Sequence, residues 1–129
     1  DEMTLLEGFK AFDFSEGVPY ISITQNGITF NKAVTLKLDE PEYARFLMNE
    51  STKQVALQAC AADEQNATLF YRPKASGTLS VRWNVKDLLN TLERLTGWNL
   101  KECGYRVEGI LLREEHAIVF DLTKATILT

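Results

Sequence analysis

The chain has 129 residues, 45% of them hydrophobic and 25% charged, with 18 acidic and 14 basic side chains and a formal net charge of −4. That length fits one domain with its own core, and the ordinary apolar fraction excludes a disordered chain. No apolar run approaches the roughly 20 residues of a spanning helix, so a membrane protein is excluded and no membrane partner is expected.

In chain order, the first stretch differs from the rest. Leu5, Leu6, Phe9 and Phe12 recur at helical spacing, which predicts a short amphipathic helix or docked arm over residues 1–18. Ser15-Glu-Gly-Val-Pro19 reads as a break. In Tyr20–Phe30, Ile21 and Ile23, then Ile28 and Phe30, alternate with polar residues around Asn26-Gly27. Asn-Gly tolerates the positive φ angles of a tight turn, so a hairpin is expected here. Asn31 is placed to cap a short helix through about Leu38, which Pro41 then stops.

Tyr43–Asn49 and Gln54–Cys60 read as two strands turning at Glu50-Ser-Thr-Lys53. Strands are expected at Thr68–Arg72 and Thr78–Trp83, separated by the loop at Pro73–Gly77. Val85–Thr96 is the best helix, with Asn84 as candidate N-cap, Asp87 three residues on and Gly97 as the stop. Tyr105–Leu112 and Ala117–Leu122 form the last strand pair around Arg113-Glu-Glu-His116.

One order of elements occurs twice. Ile28-Thr-Phe-Asn31 and Val81-Arg-Trp-Asn84 both lead into a helix, and a strand pair beginning with a tyrosine, Tyr43 or Tyr105, follows each. Each copy is a strand-turn-strand-helix-hairpin unit too small to hold a safe core alone. The expected fold class is therefore α+β: a pseudo-dimer of two similar halves, about 19–66 and 67–129, with a mainly antiparallel sheet or small barrel. Residues 1–18 form an acidic amphipathic arm ahead of this single domain.

The segment Ile21-Ser-Ile-Thr-Gln-Asn-Gly-Ile-Thr-Phe-Asn31, with its short helix and the Tyr43–Cys60 hairpin, resembles the AbrB-type swapped-hairpin DNA-binding module. The resemblance covers about residues 19–60, and residues 67–123 follow it only in element order. It departs at Ile28, where no arginine stands, and at Asn31, where proline is usual. The chain also looks like members of uncharacterised bacterial or phage-associated families, a likeness that implies no activity. The AbrB-type resemblance implies two interlocked modules, with basic loop residues reaching nucleic acid.

Candidate sites are few. No acidic residue lies between Glu64 and Asp87, a window that holds Arg72, Lys74, Arg82 and Lys86 among Phe70, Tyr71 and Trp83. Cations neutralise phosphates and aromatic faces stack on bases, so this window is the candidate nucleic-acid surface. Its bland alternative is a solvated edge with Phe70 and Trp83 in the core. Leu5, Phe9 and Phe12 are the candidate interaction arm. His116, beside Glu114 and Glu115, has no partner at zinc-ligand spacing, so no metal or cofactor is expected. No nucleophile elbow or phosphate loop occurs. Cys60 and Cys103 read as free thiols, and no leader pattern is present, which together suggest a cytoplasmic setting.

The first expectation is a non-enzymatic protein-interaction or structural module, with a protein partner or self-association. The alternative is an AbrB-like regulatory nucleic-acid-binding protein using residues 72–86. A small enzyme is the third. The net charge of −4 belongs entirely to residues 1–18, and residues 19–129 hold 13 acidic and 13 basic side chains.

Overall fold

A computed structural model describes residues 5–12 and 17–128. The chain is α+β, with a strongly curled antiparallel sheet, a half-barrel, and few helices. The strands are β1 (Tyr20–Thr24), β2 (Gly27–Phe30), β3 (Tyr43–Asn49), β4 (Gln54–Cys60) and β5 (Thr68–Leu69), then β6 (Val81–Trp83), β7 (Tyr105–Leu112), β8 (Ala117–Asp121) and β9 (Thr126–Ile127). Helix α1 (Lys32–Lys37) lies between β2 and β3, and α2 (Lys86–Thr96) between β6 and β7. Among the described residues no helix is long and apolar enough to cross a membrane.

The strands run in the order β5-β3-β4-β8-β7-β1-β2-β6, with β9 continuing the β8 side of β7. Every pairing is antiparallel. Strand β7 is the hinge of the curl. Its first half pairs with β1, and its second half, from Gly109 on, pairs with β8. The terminal strands β5 and β6 meet through a side chain, the Trp83 indole N–H donating to the Leu69 carbonyl at 3.2 Å.

Alternation along these strands sends one set of side chains inward. Ile21, Ile23, Ile28, Phe30, Val55, Leu57, Val107, Ile118 and Phe120 form the fully buried core. Leu89 and Leu92 of α2 and Val34 of α1 cover it. The hairpin forms where Asn26-Gly27 signals it, but its two-residue turn is Gln25-Asn26: Gly27 already pairs with Thr24 as the first residue of β2, and of Asn26 and Gly27 only the glycine has a positive φ. Gly27 adopts φ +139°, and a Cβ there would stand 2.6 Å from the Trp83 carbonyl oxygen, so only glycine lets β2 lie against β6.

Asn31 does more than cap. Its side chain accepts from the Val34 N–H at 3.2 Å and the Tyr20 N–H at 3.0 Å and donates to the Val18 carbonyl at 2.9 Å. Asn84 does not repeat this role. Helix α2 begins one residue later than expected, Val85 is its N-cap, and no side chain closes that end. The strand expected at Thr68–Arg72 stops at Leu69, because Phe70 and Tyr71 turn into the core and donate their N–H groups to Glu42 and Pro41 carbonyls. The strand expected at Thr78–Trp83 is shortened to Val81–Trp83, and β9 is an addition.

The expected arm lies partly outside the described residues. Within it, residues 5–8 form a helical turn, the Phe9 N–H donates to the Leu6 carbonyl at 3.0 Å, and Leu5, Leu6, Phe9 and Phe12 are 69–76% exposed.

Candidate interaction surface

The outward face of β3-β4-β8-β7 carries an apolar row. Register places Leu47 opposite Ala56, Ala56 opposite Val119, and Val119 opposite Ile110, so these four side chains cross the sheet in one line. Ile110 is 71% exposed and Leu47 38%. Leu112, opposite Ala117, extends the row on the β7 side. Exposed aliphatic side chains that are scattered singly need no explanation, but a contiguous row across four strands is the kind of patch that marks an interaction site.

One flanking row, Arg45–Gln58–Ala117–Leu112, is polar at its β3 end and apolar at its β7 end, and the other is polar. On one side Arg45 donates to Gln58 Oε1 at 2.9 Å, and Gln58 donates to the Glu115 carbonyl at 2.8 Å. On the other stand Asn49, Gln54, Asp121 and Glu108. Asp121 accepts from both the backbone N–H (3.0 Å) and the hydroxyl (2.6 Å) of Thr123, and these bonds hold its carboxyl below the usual carboxylate range. The Arg106 guanidinium carbon lies over the Tyr20 ring, 3.6 Å from its centroid. A groove of about 480 Å³ runs along the row, lined by Ile110, Val119 and Gly109 with Arg106 and Lys124 against Glu108 and Asp121. Its charges balance, so it offers apolar contact inside a neutral polar rim, the make-up of a protein-contact patch.

The residues singled out from sequence are not brought together there. Among the candidate nucleic-acid residues, Arg72 pairs with Glu42 at 3.6 Å and Arg82 donates to the Asn26 carbonyl at 3.0 Å. Lys74 and Lys86 are exposed, on the loop before β6 and at the start of α2. The interleaved aromatics point inward. Phe70 and Tyr71 are buried, and Trp83 meets Phe30, Phe46 and Phe70 edge-on at 5.0, 6.2 and 5.8 Å. The window therefore presents cations without stacking faces.

His116 is the last residue of the β7–β8 turn, at φ 51°, and is exposed. No group of three or more His, Cys, Asp or Glu side chains gathers among the described residues. Cys60 and Cys103 are free and half-buried. Burial, with Glu64 nearby, pushes the Cys60 thiol up, against a smaller opposing pull from Arg45, so it is a poor nucleophile. Trp98 stacks on Tyr105 at 4.0 Å and closes the end of α2.

Sequence reasoning missed Leu47, Val119 and Ile110, although a signal was present. Phe46-Leu47-Met48 and Ile110-Leu111-Leu112 are three apolar residues in a row inside strands. A strand with one buried face cannot hide such a run, so at least one member of each must face outward. No family model matches the chain, and no curated protein or solved structure matches it either.

Proposed function

We propose that this chain is a non-enzymatic protein-interaction module built from two related halves, and that the outward face of β3-β4-β8-β7 is its contact surface. The observation that carries the reading is the outward apolar row Leu47–Ala56–Val119–Ile110, exposed at Leu47 and Ile110 and half-buried at Ala56 and Val119, beside a groove whose charges balance.

The two-halves part of the reading is supported by pairing and register. Matching β1-β2-α1-β3-β4 with β5-β6-α2-β7-β8 turns the β1·β7 pair into β5·β3, and maps β2·β6 and β4·β8 onto themselves. In β2·β6, Ile28 faces Trp83 and Phe30 faces Val81 across a central Thr29–Arg82 pair, which is the register a local two-fold requires. The β3–β4 and β7–β8 turns, residues 50–53 and 113–116, both end in a left-handed residue, Lys53 at φ 57° and His116 at φ 51°. By the same match Leu47 corresponds to Ile110 and Ala56 to Val119, so the apolar row straddles the local axis.

The reading is tested with a photo-crosslinking side chain at position 110 or, as a comparison, at position 74, in lysate of the cells that make the protein. Protein adducts at 110 and none at 74 are expected. Nucleic-acid adducts at 74, or no protein adduct at 110, would overturn the reading.

A further inference from the structure

The apolar row needs an occupant, and the same chain carries an apolar segment that its own body leaves uncovered. Leu5, Leu6 and Phe9 are 69–76% exposed, and a Cβ built on Gly8 meets nothing within 4 Å. The segment joins the body at the margin of the row. The Gly109 N–H donates to the Pro19 carbonyl at 2.8 Å, and extending the β1–β7 register by one more residue sets Val18, itself exposed, beside Ile110.

We infer that the contact face of one chain receives the amino-terminal arm of a second copy, Leu5, Leu6 and Phe9 lying on Ile110, Val119 and Leu47, with the arms exchanged reciprocally. The inference rests on the proposed reading of this face as a contact surface. Reciprocal exchange makes a closed, isologous pair rather than an open-ended chain of copies. Area allows it as well. Arm side chains 69–76% exposed can each bury on the order of 100–150 Å², so two arms and the less exposed faces beneath them remove on the order of 1,200 Å² from water, the lower end of a specific interface. One arm folding onto its own face would bury the same area per chain, but the single chain, with Leu5, Leu6 and Phe9 69–76% exposed, does not place it there. Since the arm carries the net charge of −4 and the body is neutral, the attraction is apolar and changes little with salt.

The test uses the full chain. Light scattering after size exclusion is expected to give a dimer at micromolar concentration, and Phe9→Glu and Ile110→Glu each to weaken it at least ten-fold while leaving the melting temperature of the monomer unchanged. In a background of Cys60→Ser and Cys103→Ser, one chain with Phe9→Cys is mixed with another carrying Ile110→Cys. A disulfide between the two chains is expected. A full chain that stays monomeric, or a dimer insensitive to Ile110→Glu, overturns the inference. So does a disulfide that forms only within a chain carrying both cysteines, since the occupant is then the chain's own arm. If position 110 still crosslinks to a different protein while the chain is monomeric, the exchange is wrong and the contact-face reading stands.

Discussion

Gly109 sets two physical effects of opposite sign against each other. It sits where β7 passes from β1 to β8, directly opposite Phe120. A Cβ at this position would lie 2.5 Å from Ile118 Cγ2, 2.6 Å from Phe120 Cε1 and 2.9 Å from Phe120 Cδ1. Alanine restricts the unfolded chain and suits a strand better, which favours Gly109→Ala by about 0.5–1 kcal/mol. Forcing a methyl into a filled core costs about 1–3 kcal/mol. Ile118 and Phe120 are fully buried and cannot swing away, so the upper part of that range applies and the net loss is about 1–2 kcal/mol. For a domain of this length that is a fall in melting temperature of about 3–10 °C. Thermal and urea unfolding measure it, and a cycle with Phe120→Leu tests the cause. Replacing the ring relieves two of the three contacts, so the double variant is expected to lose at least about 0.5 kcal/mol less than the sum of the singles. A melting temperature that stays level or rises, or strictly additive losses, would refute the packing argument.

Two further expectations concern polar groups. Thr35 is fully buried and its hydroxyl has no hydrogen-bond partner among the described residues, so Thr35→Val, which keeps the shape, is expected to stabilise the chain by about 1 kcal/mol; a urea midpoint that fails to rise at constant slope contradicts this. Asp121 has its carboxyl pKa lowered in the folded state by the two bonds from Thr123, so its contribution is present above the unfolded carboxylate range and is lost as pH falls through the folded value. Thr123→Val should raise the Asp121 titration midpoint in a carboxyl NMR titration, and its melting deficit should be present near neutral pH and fade in acid. A deficit independent of pH would show that the hydroxyl acts in some other way.

Local chemistry made much of the fold legible. Asn26-Gly27 announced its hairpin, and Tyr43–Asn49, Gln54–Cys60 and Tyr105–Leu112 have the bounds that their patterning suggests. The misses share a cause. Phe70 and Tyr71 look like strand residues because they are aromatic, but past Leu69 the regular exchange of bonds with β3 ends, and two successive N–H groups go to the Glu42 and Pro41 carbonyls instead. Asn84 matches Asn31 in sequence, yet Asn31 acts through the neighbouring Tyr20 N–H and Val18 carbonyl, contacts that composition cannot foresee. The apolar row was hidden for the same reason. Leu47, Ala56, Val119 and Ile110 lie far apart in sequence, and only the registers of three strand pairs align them. The basic window stood out because charge is visible in a sequence, whereas the inward turn of its aromatics is not.

Trp83 governs how the half-barrel behaves at its lips. The two outermost strands share an indole N–H, one carbonyl and edge-on rings, where neighbouring strands elsewhere share a backbone ladder. A ladder opens only by losing several bonds together, whereas this junction opens by breaking one, leaving every strand pair intact. The curl therefore has a built-in line of slack running between Leu69 and Trp83. Motion along that line is a breathing of the whole sheet's radius, cheap in bonds and paid for chiefly in aromatic contact. Because the Trp83 indole is itself the clasp, exchange of its N–H and its emission, read in a Trp98→Phe background, are the signals expected to follow each opening, while the ladders of β5 with β3 and β6 with β2 stay closed.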